Sequence, residues 1–174
     1  MKAATLLYSK SFLVTTISFG VLMIIFDYAT GSDIELFSFL LTIVLFGLTM
    51  SLVFVSLQIS ELKRLGVEEL TAESLSVEQH RSFTSSLTKQ KAVERINIDP
   101  AFSKMKIRKT ASGLRIKTPI TLKSFGEVIN IEFNQPLAND PLKISISSRP
   151  KIKTTMVDLG KNMENVNSLY QLLK

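Results

Sequence analysis

The sequence predicts a membrane α-helical hairpin followed by a small α+β domain, an antiparallel sheet closed by a C-terminal helix. Three observations predict it. Two long uncharged runs lie near the N-terminus, period-two alternation begins in the second half, and helical period returns at the end of the chain. The net charge of +6 over 174 residues is unevenly spread. Residues 1–60 hold only Lys2, Lys10, Asp27, Asp33 and Glu35, net −1, so residues 61–174 carry +7. A break of this kind marks a domain boundary.

The first uncharged run, Ser11 to Phe26, is 16 residues long. At 1.5 Å per residue it covers about 24 Å of a hydrocarbon core roughly 30 Å thick. Apolar residues upstream, with Lys10 snorkelling toward the headgroups, extend the span to about residues 6–27. The second run, Leu36 to Ser60, has 25 residues without a charge and suffices to cross a bilayer as a helix over about 36–60. An open strand there would leave backbone groups unpaired in lipid. A cleaved signal peptide is the competing reading of the first run, but Asp27 to Gly31 offers no clean small-x-small step. Thr16 and Gly20, and Gly47 and Ser51, are small residues four apart that would let the two helices approach.

Sidedness follows from charge. Lys2 and Lys10 precede the first helix, Lys63 and Arg64 follow the second, and the link Asp27 to Glu35 carries three acids and no base. The positive-inside rule puts the N-terminus and the C-terminal domain in the cytoplasm of a multi-pass inner-membrane protein. The hairpin is assigned to residues 1–62, and residues 63–90, with a bend near Gly66, to a juxtamembrane linker.

The domain over 91–174 is built on alternation. Met105 and Ile107, Leu114 and Ile116, Ile129 to Phe133, and Leu142 to Ile146 alternate with polar residues. Turn signals separate them: Asp99-Pro100, Ser112-Gly113, Phe125-Gly126, Asn139-Asp140-Pro141 and Arg149-Pro150. Spacings this short favour antiparallel connections, and Thr154 to Leu159 adds a short strand candidate, giving five to seven strands. Met163, Val166, Leu169, Tyr170 and Leu173 form one stripe of a terminal helix over about 162–173, with Asn162 as its N-cap.

Two membrane helices followed by a strand-rich domain over residues 91–174, ending in the helix LGKNMENVNSLYQLLK, resemble small bacterial membrane proteins with a C-terminal pleckstrin-homology-like domain. The resemblance is of layout and carries over no diagnostic residue. It implies a curved antiparallel sheet or partly open barrel capped by the helix, and a scaffold or regulatory role.

Chemistry is sparse. Without Cys there is no disulfide, thiolate nucleophile or Cys-based zinc site. The single His80 has no local HxxxH or HExxH partner, Ser145, Ser147 and Ser148 lack a nucleophile-elbow context, and phosphate-cradling glycine motifs are missing. No catalytic, cofactor or metal site is assigned. The notable feature is a basic run without an acid: Lys104, Lys106, Arg108, Lys109, Arg115, Lys117 and Lys123. Period two puts Lys104, Lys106 and Arg108 on one face, and Arg115 and Lys117 on another that merges with it if the strands are neighbours. Such a patch suits anionic lipid headgroups or an acidic partner; a solvated strand face is the alternative. Nucleic acid is not expected, since exposed aromatics are not interleaved. A second cluster, Ser148 to Asn162, holds Thr154, Thr155 and Asp158 with Lys161 nearby.

The reading is a membrane-anchored, non-enzymatic binding or scaffold protein that requires no cofactor. Its partners are the bilayer and a protein partner or second copy in the membrane. An accessory subunit of a membrane complex, and a small membrane enzyme built on Asp158, Thr154 or Thr155 and Lys161, are the alternatives.

Overall fold

The computed structural model describes every residue except Met1, Ile34, Leu122, Lys123, Pro136, Ala138 and Asn139. The chain forms two compact units that divide between Leu75 and Ser76.

The first unit is the helix pair α1 (Lys2–Thr30) and α2 (Leu36–Arg64). Both are long and apolar enough to cross a membrane. Only 6 % of the most apolar stretch of α1 and 17 % of that of α2 is buried, so these are not core helices of a globular domain. Leu13, Ile17, Leu22, Leu41, Leu45 and Leu52 stand exposed. Small residues are among the few buried ones, Ser11 and Gly20 on α1 and Gly47 and Ser51 on α2, with Val55, Gln58 and Leu62 buried further along α2. A Cβ on Gly47 would collide with Thr16 Oγ1. Phe19 stacks on Phe46 with ring centroids 3.8 Å apart, and Tyr8 and Ser56 share a 3.0 Å hydrogen bond. The helices thus touch through close backbone approach and a few polar contacts, the packing used where lipid is as apolar as leucine. Basic Lys63 and Arg64 sit in the last turn of α2, where the helix dipole favours cations, and Gly66 beyond it takes φ +86°.

The second unit is a five-stranded antiparallel sheet with two helices. The elements are β1 (Gln79–Ser85), α3 (Lys89–Ile98), β2 (Lys106–Lys109), β3 (Gly113–Lys117), β4 (Glu127–Asn134), β5 (Leu142–Pro150) and α4 (Lys161–Leu173). The strand order is β1-β5-β4-β3-β2. Inward residues alternate as the pleat demands: Ile129, Ile131 and Phe133 on β4, and Leu142, Ile144 and Ile146 on β5. They pack with Ala92 and Ile96 of α3 and with Val166, Leu169 and Leu173 of α4 in one core.

This architecture corrects the expected partly open barrel, and the pleckstrin-homology-like fold with it. The sheet is open, with β1 and β2 as its two free edges. Closure needs the edge strands to meet. Here the chain passes from one edge to the other through α3, and α3 and α4 supply the second layer over the inner face.

Further differences have local causes. Residues 79–85 and 89–98, assigned to a linker and to the start of the strand region, form β1 and α3. Thr154 to Leu159 is not a strand, and Arg149-Pro150 ends β5 rather than making a turn, with Pro150 paired to Glu127 at the strand end. Gly160, at φ +69°, is the N-cap of α4, and Asn162 lies inside the helix. Of the expected Asn139-Asp140-Pro141 turn, Asn139 lies outside the described residues.

Candidate functional site

Two features of the second unit carry chemistry: the uncovered outer face of the sheet and a cavity at one end of it.

The register sorts the basic residues. Lys106 lies opposite Lys117, and Arg108 opposite Arg115, while Ile107 opposite Ile116 turns inward. Four bases therefore share the outer face in two directly opposed pairs. Like charges so placed repel. The same rows continue to Arg149, opposite Val128, and to Asn130, whose Oδ1 accepts from Arg115 Nε at 2.8 Å. Lys143 stands further along the face, with Glu132 as its one acid among the described strand residues. Lys109 pairs with Leu114 and so takes the opposite face of the sheet. Lys104 is exposed in the turn before β2, and Lys123 lies outside the described residues. The sheet thus brings Lys106, Arg108, Arg115 and Lys117 together, separates Lys109 from them, and adds Arg149 and Lys143. The last two could be found only by knowing that β5 is two strands from β3.

His80 is not in a linker but on β1, at the far side of this face. Its Nε2 is 2.8 Å from Ser145 Oγ, and Ser82 Oγ donates to Ser145 Oγ at 3.1 Å. Among the described residues no carboxylate orients the ring. Among the described residues the hydroxyl–imidazole pair thus lacks the orienting third group of nucleophilic catalysis.

The cavity, of about 380 Å³, lies beside the start of β4 and the end of β5. Phe125, Pro150, Ile152, Met156 and Val157 give it apolar walls. Thr121, Ser124, Thr154, Thr155, Glu127 and Asp158 give it polar ones. The last two carboxylates terminate a buried network. Asp158 caps α4, accepting from Gly160 N at 3.2 Å, Asn162 N at 2.8 Å and Asn162 Nδ2 at 2.7 Å. Asn162 Oδ1 accepts from Ser148 Oγ at 2.6 Å. Asn165 Nδ2 reaches Ser148 Oγ at 3.3 Å and Glu127 Oε2 at 3.5 Å. Thr118 donates its hydroxyl to the same Oε2 and accepts from Glu127 N at 2.7 Å. Glu127 Oε1 is buried with no hydrogen-bond partner among the described residues.

Lys151 ties the two sides of the cavity together. Its backbone N donates to Gly126 O at 3.0 Å, and its ammonium donates to Thr118 O. Gly126, at φ +86°, is required here, because a Cβ would lie 2.6 Å from Lys151 Nζ and 2.8 Å from Thr118 O.

The cavity unites Thr154, Thr155 and Asp158, as the enzyme alternative asks, but leaves out Lys161, whose ammonium pairs with Glu164 at 2.9 Å. Sequence reasoning missed Glu127, Thr118 and Asn165. The polar i, i+3 pair Asn162 and Asn165 on the apolar stripe of α4 was the available signal. No group of three or more metal-ligating side chains occurs among the described residues. Comparison with protein-family models, curated proteins and solved structures finds no match to this chain.

Proposed function

We propose that this protein is a membrane-anchored, non-enzymatic binding module that turns its basic sheet face to the anionic lipid headgroups of the leaflet holding its anchor. The carrying observation is the pair of opposed like-charged couples, Lys106 with Lys117 and Arg108 with Arg115, all four exposed on the face of the sheet opposite α3 and α4. Retaining such couples costs roughly 0.2–1 kcal/mol each, a cost that an anionic surface relieves. Each base near an anionic leaflet contributes about 1 kcal/mol of attraction. The helix pair supplies the bilayer, and the cytoplasmic leaflet that the positive-inside rule selects is the anionic one. The tether between Arg64 and Gln79 keeps the domain close to that surface at high effective concentration. Accessory association through the exposed faces of α1 and α2, with a protein partner or a second copy, is the second reading, favoured by their low burial.

The test uses the full chain in nanodiscs. A Ser112→Cys variant takes an environment-sensitive fluorophore at the β2–β3 turn, next to the patch, and there is no native Cys to compete. Anionic nanodiscs are expected to shift its emission relative to neutral ones, and added salt to reverse the shift. Changing Lys106, Arg108, Arg115 and Lys117 to Gln should abolish the shift while raising the melting temperature of the domain. Identical emission in both lipid compositions would overturn the reading. Loss of partner association on replacing the helix pair with an unrelated one would favour the second.

A further inference from the structure

We infer that one end of the sheet, formed by residues 118–121 and 124–126 between β3 and β4 and by the β5–α4 loop, inserts Ile120, Phe125 and Ile152 into the leaflet holding the anchor. The inference rests on the proposed docking of the domain on that leaflet, and adds which part of the domain enters the apolar layer.

Three observations carry it. First, exposed apolar side chains are unevenly spread over the second unit. The large ones exposed among its described residues are Ile98, Ile120, Phe125, Leu137 and Ile152. Three of these stand at one end of the sheet, with Ile120 70 % exposed, Phe125 65 % and Ile152 44 %. The loops that carry them are held side by side, because Lys151 N donates to Gly126 O at 3.0 Å and the Lys151 ammonium donates to Thr118 O. Phe125 and Ile152, the chain neighbours of that tie, line one cavity together with Met156 and Val157. Single apolar side chains on a surface are ordinary, but a group brought together and rimmed by polar residues marks an interaction site.

Second, bases border this group. Lys106 and Lys117, opposed where β2 begins and β3 ends, are exposed, and so is Lys153 in the β5–α4 loop. Of the acids at this end, Glu127 and Asp158 are buried, and Glu78, just before β1, is exposed. Apolar side chains bordered by Lys match the boundary between acyl chains and anionic headgroups, where the long Lys stems reach back to the charge.

Third, the chain arrives from the anchor at this end. Gln79 opens β1 opposite Ser148, Pro150 closes β5 opposite Glu127 at the start of β4, and Val128 faces Lys117 at the end of β3. The tether that follows α2 therefore joins the domain at the end that bears the apolar loops. A tether confines its own attachment point most closely to the bilayer. At the opposite end, the β4–β5 connection shows Leu137 alone of the exposed set.

The test uses the full chain in nanodiscs, with a fluorophore on Thr154→Cys, an exposed position close to Ile152 in a chain without native Cys. In anionic nanodiscs, lipids with a nitroxide on the acyl chain are expected to quench the probe, and acrylamide in the water to lose access to it. The comparison is with Ile120→Ser, Phe125→Ser and Ile152→Ser combined. Each apolar side chain moved from water to the acyl boundary is worth roughly tenfold in the docking equilibrium, so the triple variant should lose loop insertion by about a hundredfold or more. Its melting temperature should stay unchanged, because all three side chains are exposed. Should it fail to fold, the two quenchers on the chain with unaltered loops decide alone. Absence of acyl-chain quenching, with the Ser112→Cys emission still answering to anionic lipid, would overturn this inference and leave the basic-face reading standing. Silence at both positions would overturn both. Shielding from acrylamide without acyl-chain quenching would mean that protein, such as a second copy, covers the loops, and would overturn the inference as well. Acyl-chain quenching in neutral and anionic nanodiscs alike would keep the insertion and take the docking role from the bases.

Discussion

At the residue scale the buried polar side chains do most to define this domain. Asp158, Asn162, Asn165, Ser148, Thr118 and Glu127 form one continuous network between the start of α4 and the sheet. Burying such groups is tolerable only when they are hydrogen-bonded, and breaking one member strands the rest. Asp158 is the pivotal member because its carboxylate serves two backbone N–H groups at the first turn of α4 together with the Asn162 amide. Asp158→Ala is expected to destabilise the domain by about 1–3 kcal/mol, the cost of a lost cap plus a stranded amide. Asp158→Asn should cost less, because one oxygen remains to accept. Thermal unfolding of both variants in micelles, followed by circular dichroism, checks the order. Equal stability of Asp158→Ala and the unaltered chain would remove the capping role and return Asp158 to the cavity as a group available for other chemistry.

At the scale of elements, how far the sequence was legible depended on how each element buries itself. The alternating runs of β4 and β5 were visible because every inward residue from Ile129 to Phe133 and from Leu142 to Ile146 is apolar. Strand β1 was not, because its inward positions are Gln79, Arg81, Phe83 and Ser85. Arg81 covers the Tyr170 ring at 3.5 Å, and Ser85 donates to Leu173 O, so polar residues perform the inward packing of an edge strand. Helix α3 was hidden by brevity, with only Ala92 and Ile96 fully buried, although Thr88, whose side chain accepts from Lys91 N, was a readable cap. The basic patch was half legible: period two gives the face within a strand, but only the pairing of β3 with β4 and of β4 with β5 brings Arg149 and Lys143 to it. The small-residue seam of the hairpin was legible because Thr16 and Gly47 meet there. Gly47→Leu should force α1 and α2 apart, at a cost of about 1–3 kcal/mol from overpacking. Cys substitutions at Tyr8 and Ser56, which now bond at 3.0 Å, report the separation. A short bifunctional thiol reagent should link them in the chain that keeps Gly47 and fail to link them once Gly47→Leu is added.

At the scale of the whole molecule the deciding quantity is which side of a bilayer each unit occupies. The two exposed apolar helices and the tethered sheet domain fit one arrangement in which charge is consistent at three places. Lys2 and Lys10 precede the core of α1, Lys63 and Arg64 close α2, and Asp27, Asp33 and Glu35 lie at or near the link between the helices. Bases near membrane ends favour the cytoplasmic side, whereas acids contribute little, so the proposed orientation rests on the four flanking bases, and the acidic link is merely compatible with it. The bases of β2 and β3 lie too far along the chain to orient the anchor; the proposal that they meet the leaflet's field depends on the topology being cytoplasmic. Single Cys substitutions read this out without background, since the chain has no Cys, and Ser32, Ser112 and Ser168 are all exposed positions for it. In intact cells an impermeant thiol reagent should label Ser32→Cys, in the link, and leave Ser112→Cys and Ser168→Cys unlabelled until the membrane is permeabilised. Labelling at 112 or 168 before permeabilisation would place the basic face away from the anionic leaflet, and the lipid-binding role would fall with it.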